Sequence, residues 1–235
     1  MMSLFDMFNP KKDKNPMTKE EFIKKIKEDE EYAPGWMAID EELERLYKDQ
    51  TPAHNATPLA SRAIVGGDEY LDGFSIYDSK NDYKHIVTYG MTELYANEDA
   101  FAGEFSKWGY EMTIKLAEEK TKDCLWALNM LGNLARYTYT RKRFFEPFQF
   151  IRGNGGSLNM DRDSKITSIF LVKDTELNTL DTVYGKTDFI QLVGITESDL
   201  EKLIENPDNA KKLYDLMKAD NPNFVTDLNS EKSYL

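Results

Sequence analysis

Trp126, Met130, Leu131, Leu134 and Tyr137 recur at i, i+4, i+5, i+8 and i+11, one broad apolar stripe that predicts an amphipathic helix from about Asp123 to Thr140. Alternation or β-branched content predicts strands before it at Asp72 to Tyr77, Lys84 to Tyr89 and Trp108 to Leu116, and after it at Lys165 to Val172 and Lys186 to Val193. These strands predict one sheet with the long helix across it. Thr18 followed by Glu21 is a capping box and predicts a charged helix from about Thr18 to Glu30, with Phe22, Ile23 and Ile26 as its narrow apolar side. Pro34 and Gly35 end that segment, and Trp36, Ile39, Leu43 and Leu46 then repeat at helical spacing. Pro52, Pro58, Gly66 and Gly67 punctuate Thr51 to Asp68, leaving Ala63 to Val65 as a short strand. Near the end, Glu197 to Glu205 and Asp208 to Lys218 read as two helices broken by Asn206 and Pro207.

No Gly/Ser/Pro-rich linker divides the 235 residues, so the organisation expected is an N-terminal extension, 1–33, and one domain, 34–235. Hydrophobic content of 40% is ordinary for a globular chain. No apolar run approaches the ~20 residues that cross a bilayer. The N-terminal stretch MMSLFDMFNPKKDKN, broken by Asp6, fits neither a secretion signal nor a stop-transfer segment, and the cytoplasm is the expected location. Cys124 is the single cysteine and sits in an apolar helical run, which predicts a buried, inert thiol and excludes an internal disulfide. His54 and His85 are the only histidines, too few for a closed zinc site of about four N or S ligands, so neither metal nor cofactor is expected. The net charge of −12 repels phosphate backbones and attracts basic proteins. Direct nucleic-acid binding is therefore disfavoured, although solubility alone accounts for the same charge.

One passage departs from this acidic background. Arg141 to Arg152 (RKRFFEPFQFIR) holds four basic residues, four phenylalanines and a single Glu just past the long helix. Arginine and aromatic rings dominate binding energy at interfaces, because they join a large desolvated area to directional hydrogen bonding. Basic residues also complement the open carbonyls of a helix end, and phenylalanines fill cores, so at least two of these four rings are expected to be buried. Gly153, Gly155 and Gly156 lack the Lys-Ser/Thr pair of a phosphate-binding loop and read as a turn. Glu93, Glu98, Asp99 and Glu104 surround Tyr95 in an acidic stretch, read as a solvated loop rather than a Mg²⁺ site. A basic partner can land there, with Tyr95, Phe101 or Phe105 as anchors. His85 is read as a hydrogen-bonded structural residue, with a proton shuttle as the alternative.

Several pieces stand in a fixed order: PGW-x-AID at Pro34 to Asp40, LDG-x-S-x-Y at Leu71 to Tyr77, HIVTYGMTELY at His85 to Tyr95, WGYEMTIKL at Trp108 to Leu116, WALNMLGNLARY at Trp126 to Tyr137, DTVYGKTDFIQLVG at Asp181 to Gly194, and VTDL at Val225 to Leu228. Together they resemble the Suppressor of Fused domain family, in its bacterial single-lobe form. The resemblance implies an α+β fold, a central mixed, largely antiparallel sheet packed by a long helix and several shorter ones. It also implies protein binding rather than catalysis. The animal member grips an extended peptide with the Tyr of its Ala-Arg-Tyr helix end, a Phe eight residues on and an Asp four further. The same count reaches Tyr137, Phe145 and Gln149 here. With an amide in place of the acid, and with Arg141, Lys142 and Arg143 nearby, the expected ligand differs in charge and is acidic. Because bacterial members often act as immunity proteins, the function expected is neutralisation of a polymorphic toxin by direct binding. The alternatives are a cytosolic adaptor that sequesters a regulator through an extended peptide, and a hydrolase built on carboxylates and His85.

Overall fold

The computed structural model describes residues 17–57 and 71–235, so the short strand expected at Ala63 to Val65 lies outside the described residues. The chain divides into two compact units, one ending at Tyr32 and one running from Ala33 to Leu235. In the first, helix α1 (Lys19–Glu28) begins at the anticipated capping box. The Glu21 amide donates to Thr18 Oγ1 and the Thr18 amide to Glu21 Oε2, satisfying two amides that a helix start leaves open. Phe22 is the buried residue of α1, and its ring meets Tyr32 edge-on at 6.1 Å.

The second unit contains α2 (Pro34–Leu46), β1 (Ala53–Ala56), β2 (Gly73–Asp78), β3 (Lys84–Tyr89), β4 (Phe105–Leu116), α3 (Leu125–Arg141), β5 (Phe150–Ile151), β6 (Ile166–Lys173), β7 (Leu180–Thr182), β8 (Gly185–Thr196), α4 (Glu197–Glu205) and α5 (Asn209–Asp220). The strands form one sheet in the order β1-β2-β3-β4-β8-β6-β5, with β7 hairpinned onto β8. Only β4 and β8 run parallel among the strands described; the other pairings are antiparallel. This is the mixed, largely antiparallel α+β architecture implied by the resemblance. Strands β1, β5 and β7 were not anticipated. They span two to four residues, too short to show alternation.

Helix α3 covers one face of the sheet, with the centre of its buried side shifted from the stripe read in the sequence toward small residues. Ala127, Leu131, Gly132, Ala135, Thr138 and Tyr139 are its buried residues, whereas Trp126, Met130 and Leu134 are half-buried and Tyr137 is exposed. The small residues let the helix backbone approach Met112, Ile114, Leu171 and Leu192, and the bulky side chains splay to the flanks. The opposite face carries two further clusters. Ile39 and Leu43 of α2 pack on Val87, Tyr89 and Phe189, and Leu200, Leu203 and Leu213 of α4 and α5 pack on Phe170, Val172 and Val193. With layers on both faces, β6 runs apolar without alternation from Ile169 to Val172.

Several motif residues hold the chain at crossings. A Cβ on Gly35 would lie 1.8 Å from the Glu93 carbonyl oxygen, so the first turn of α2 can rest on that backbone only with glycine there. Gly185 has φ +103° in the β7–β8 turn, and beside it Tyr184 is fully buried, donating to the Tyr95 carbonyl at 2.5 Å. Thr226 of VTDL bridges Leu116 in parallel, and its hydroxyl accepts from the Gly194 amide at 2.8 Å.

Candidate functional site

The basic and aromatic passage forms a rim where α3 ends. Lys142 caps the helix in the left-handed conformation, φ 54° and ψ 39°, and its amide donates to the Thr138 carbonyl at 2.9 Å. From there the chain turns Phe145 inward. That ring is 9% exposed, and Tyr137, 41% exposed, stacks over it with centroids 6.1 Å apart and planes 11° from parallel. Beneath, the Tyr110 hydroxyl accepts from the Phe145 amide at 3.3 Å and shares a hydrogen bond with Thr138 at 3.1 Å. Burial pushes the Tyr110 phenol up to about 12, so it stays a neutral donor. Tyr137 is thus the outer leaf of a layered stack.

The expectation that at least two of the four phenylalanines are buried needs correction. Phe145 alone is buried, Phe150 is half-buried, and Phe144 and Phe148 are exposed. The space between Tyr137 and Tyr110 admits a single ring. Arg141 and Arg143 are also exposed, and no carboxylate among the described residues pairs with either. Lys142 lies over the Trp108 ring at 5.5 Å. Gln149 is exposed, but its side chain is engaged locally, donating to Glu146 Oε2 at 3.1 Å and accepting from the Glu146 amide at 3.2 Å.

Tyr95 and Phe101 belong elsewhere. The Tyr95 hydroxyl donates to Asp72 at 3.0 Å and its ring lies 6.4 Å from Trp36, on the α2 side of the sheet. Phe101 is half-buried after a short 3-10 turn, Glu98–Ala100. The structure therefore does not gather the seven candidate residues into one surface.

Two depressions escaped the sequence. A groove of about 1240 Å³ runs between α3 and the segment after β5, lined by Trp126, Met130, Leu134, Ile151, Leu158 and Met160 among others. The Trp126 indole N–H and the Ser157 hydroxyl at this groove have no hydrogen-bond partner among the described residues. A second, of about 510 Å³, lies beside α2 and contains Trp36, His54, Tyr77, Tyr89, Asp40, Glu41 and Glu44. Burial pushes the Asp40 carboxyl up, while hydrogen bonds from Tyr89 and Trp36 pull it back.

His85 is fully buried. Its Nδ1 meets the Tyr47 hydroxyl at 2.7 Å and its Nε2 meets Asp174 at 3.0 Å, so neither nitrogen faces a cavity. Asp174 also accepts from Thr113 at 2.7 Å and pairs with the fully buried Lys115 at 3.2 Å. Burial alone would raise the Asp174 carboxyl, but His85, Lys115 and Thr113 hold it well below the usual carboxylate range. Burial pushes the Cys124 thiol up to about 12, which leaves it protonated and unreactive. Among the described residues no three His, Cys, Asp or Glu side chains cluster as metal ligands, and no helix is long and apolar enough to cross a membrane.

Comparison with known proteins adds the following. The family model described as Suppressor of fused protein (SUFU) matches residues 67–229. The human Suppressor of fused homolog is 27% identical over 215 residues, covering 83% of this chain but only 43% of the human protein. The chain thus spans less than half the length of that relative. Drosophila Suppressor of Fused superposes with a TM-score of 0.70 at 25% identity, covering 86% of this chain and 51% of the other. The Sufu–Fu complex structure gives 0.72 at 23% identity, covering 86% of this chain and 93% of the solved one. A SUFU homolog from Neisseria gonorrhoeae FA 1090 gives 0.58 at 15% identity, covering 86% and 97%. Below 25% identity the last two speak to the fold alone.

Proposed function

This chain belongs to the Suppressor of fused family, and on that premise we propose that it works by holding another protein, not by turning over a substrate. The observation that carries this reading is the exposed rim at the end of α3, where Tyr137 and Phe144 stand with exposed Arg141 and Arg143, neither of which pairs with a carboxylate among the described residues. It adjoins β5, the last strand in the sheet order. An extended partner segment laid along that border gains main-chain hydrogen bonds from a sheet edge, and the rings and guanidinium groups choose its side chains. The positive rim favours an acidic segment.

In its finer form the reading is an immunity protein that neutralises a polymorphic toxin. The net charge of −12 supports it, since a nuclease that grips phosphates presents a basic cleft to an acidic inhibitor. A cytosolic adaptor that sequesters a regulator is the alternative and uses the same rim. The test is co-purification from the native cell, comparing wild type with Tyr137→Ala/Phe145→Ala. Because Phe145 is buried, the surface variant Arg141→Glu/Arg143→Glu is run beside it. Loss of the partner from both is expected, with thermal unfolding of the Arg variant unchanged. Full retention by both discards the rim. If the captured partner does not arrest growth when expressed alone, the toxin form falls and the adaptor form stands.

A further inference from the structure

The second depression lies on the other face of the sheet from the α3 rim, and its chemistry is different. Its floor is aromatic. Tyr77 and Tyr89 are both buried, and Trp36 stacks on Tyr89 with centroids 4.6 Å apart and planes 29° from parallel. The His54 imidazole closes a side, 5.6 Å from Trp36 and 5.9 Å from Tyr89, held by a 3.0 Å hydrogen bond with Ser75. Helix geometry lines the opposite wall with acid. Asp40 and Glu44 stand one turn apart on α2, with Glu41 beside them; all three residues are exposed, although the inner oxygen of Asp40 is covered by the Tyr89 hydroxyl at 2.8 Å. No Lys or Arg lines the cavity, and no cation among the described residues pairs with these three carboxylates.

Ring faces carry negative quadrupole density, and carboxylates at the mouth add full negative charge. Both attract a cation, and a partly desolvated one gains from both together. We propose that this cavity receives a lysine or arginine side chain presented by a protein partner, with Trp36, backed by the buried Tyr89, offering the ring face and Asp40, Glu41 and Glu44 the counter-charge. About 510 Å³ is more than one side chain fills and accommodates the backbone on either side of it, which points to a residue within a segment and not to a free ammonium ion. The chain's net charge of −12 draws such a segment in. Only the source of the cation rests on the partner-holding reading above. The cavity's own preference is measurable without any partner.

The experiment is a titration of the purified full chain with acetyl-Gly-Arg-Gly-amide and acetyl-Gly-Lys-Gly-amide, following the Trp36 indole signal by NMR. A citrulline peptide, neutral and nearly the same shape as the arginine one, is the comparison. Saturable movement of Trp36 with both basic peptides is expected, and binding of the citrulline peptide weaker by about five-fold or more. The variant Glu41→Gln/Glu44→Gln, both exposed on α2, should weaken the basic peptides by a similar factor. Glu201→Gln/Asp208→Asn removes the same charge away from the cavity and should leave them unchanged. Equal binding of citrulline, equal weakening by the remote variant, or a still Trp36 signal overturns the proposal. Those outcomes leave the Tyr137 rim untouched, and failure of the rim variants leaves this cavity untouched.

Discussion

Asp174 shows at the residue scale why the buried polar groups of this chain are structural. Its two oxygens take Lys115, His85, Thr113 and the amides of Glu176 and Leu177, so it ties the end of β6 to β3 and β4. Removing its charge takes one of two carboxylates from the buried Lys115 ammonium, which keeps Glu176 at 2.8 Å, and leaves the other donors a weaker acceptor, so Asp174→Asn should cost about 1–3 kcal/mol in denaturant unfolding. The pH dependence has a definite sign. A carboxyl held below its unfolded value stabilises the fold fully above about pH 4, and that contribution is lost as pH falls from there toward the folded-state value. The gap between wild type and Asp174→Asn should therefore be constant near neutrality and narrow below about pH 4. A gap that instead widens on acidification would show that the carboxyl is not depressed. Glu111 is a parallel case, with its carboxylate collecting donors from Thr88, Gly90, Met91 and Thr92. Burial pushes its pKa up against that ring of donors.

At the scale of elements, α3 is the informative one. The apolar stripe in its sequence marks a helix correctly, and Leu131, Trp126, Met130 and Leu134 do pack on the core, but the innermost positions also include the small Ala127, Gly132 and Ala135. Close approach to a sheet selects small residues, and the rings then take the flanks. Two of its leucines, Leu131 and Leu134, separate the alternatives. Leu131, fully buried, should cost about 2–5 kcal/mol on truncation to alanine. Half-buried Leu134 should cost no more than about 1 kcal/mol. Equal losses in chemical denaturation would restore the stripe read from sequence. The same rotation leaves Trp126 and Met130 lining the groove beside β5, where a partner can reach them.

For the whole molecule, charge is the property that acts at a distance. With a net charge of −12, encounter with a basic protein is steered, and the field shrinks as the screening length falls from about 30 Å at 0.01 M salt to about 8 Å at 0.15 M. Association with a basic partner should slow on the order of ten-fold across that range, with dissociation far less affected. Stopped-flow mixing at several salt concentrations measures this, and a flat association rate would remove charge as a determinant of partner choice. On the proposed reading, the local exceptions, a positive rim on one face and an acid-walled aromatic cavity on the other, would decide how a partner is held once it arrives.

The family was legible in the sequence because its motifs are packing solutions. Gly35 lies against the Glu93 carbonyl, Tyr184 is buried at a turn, and Thr226 bridges the end of β4, each a position where few side chains fit and the pattern persists in the linear text. The helices and longer strands were legible for a related reason, since periodicity records which face is buried. Surfaces leave no such record. That Phe145 turns in while Phe144 turns out, that Gln149 is tied to Glu146, and that His85 is sealed between Tyr47 and Asp174 depend on contacts across many residues of chain. The cavity between Trp36, His54 and Tyr89 exists only because α2 and β1 meet over one end of the sheet. Burial is a local statistic of a sequence, but adjacency is a property of the folded chain.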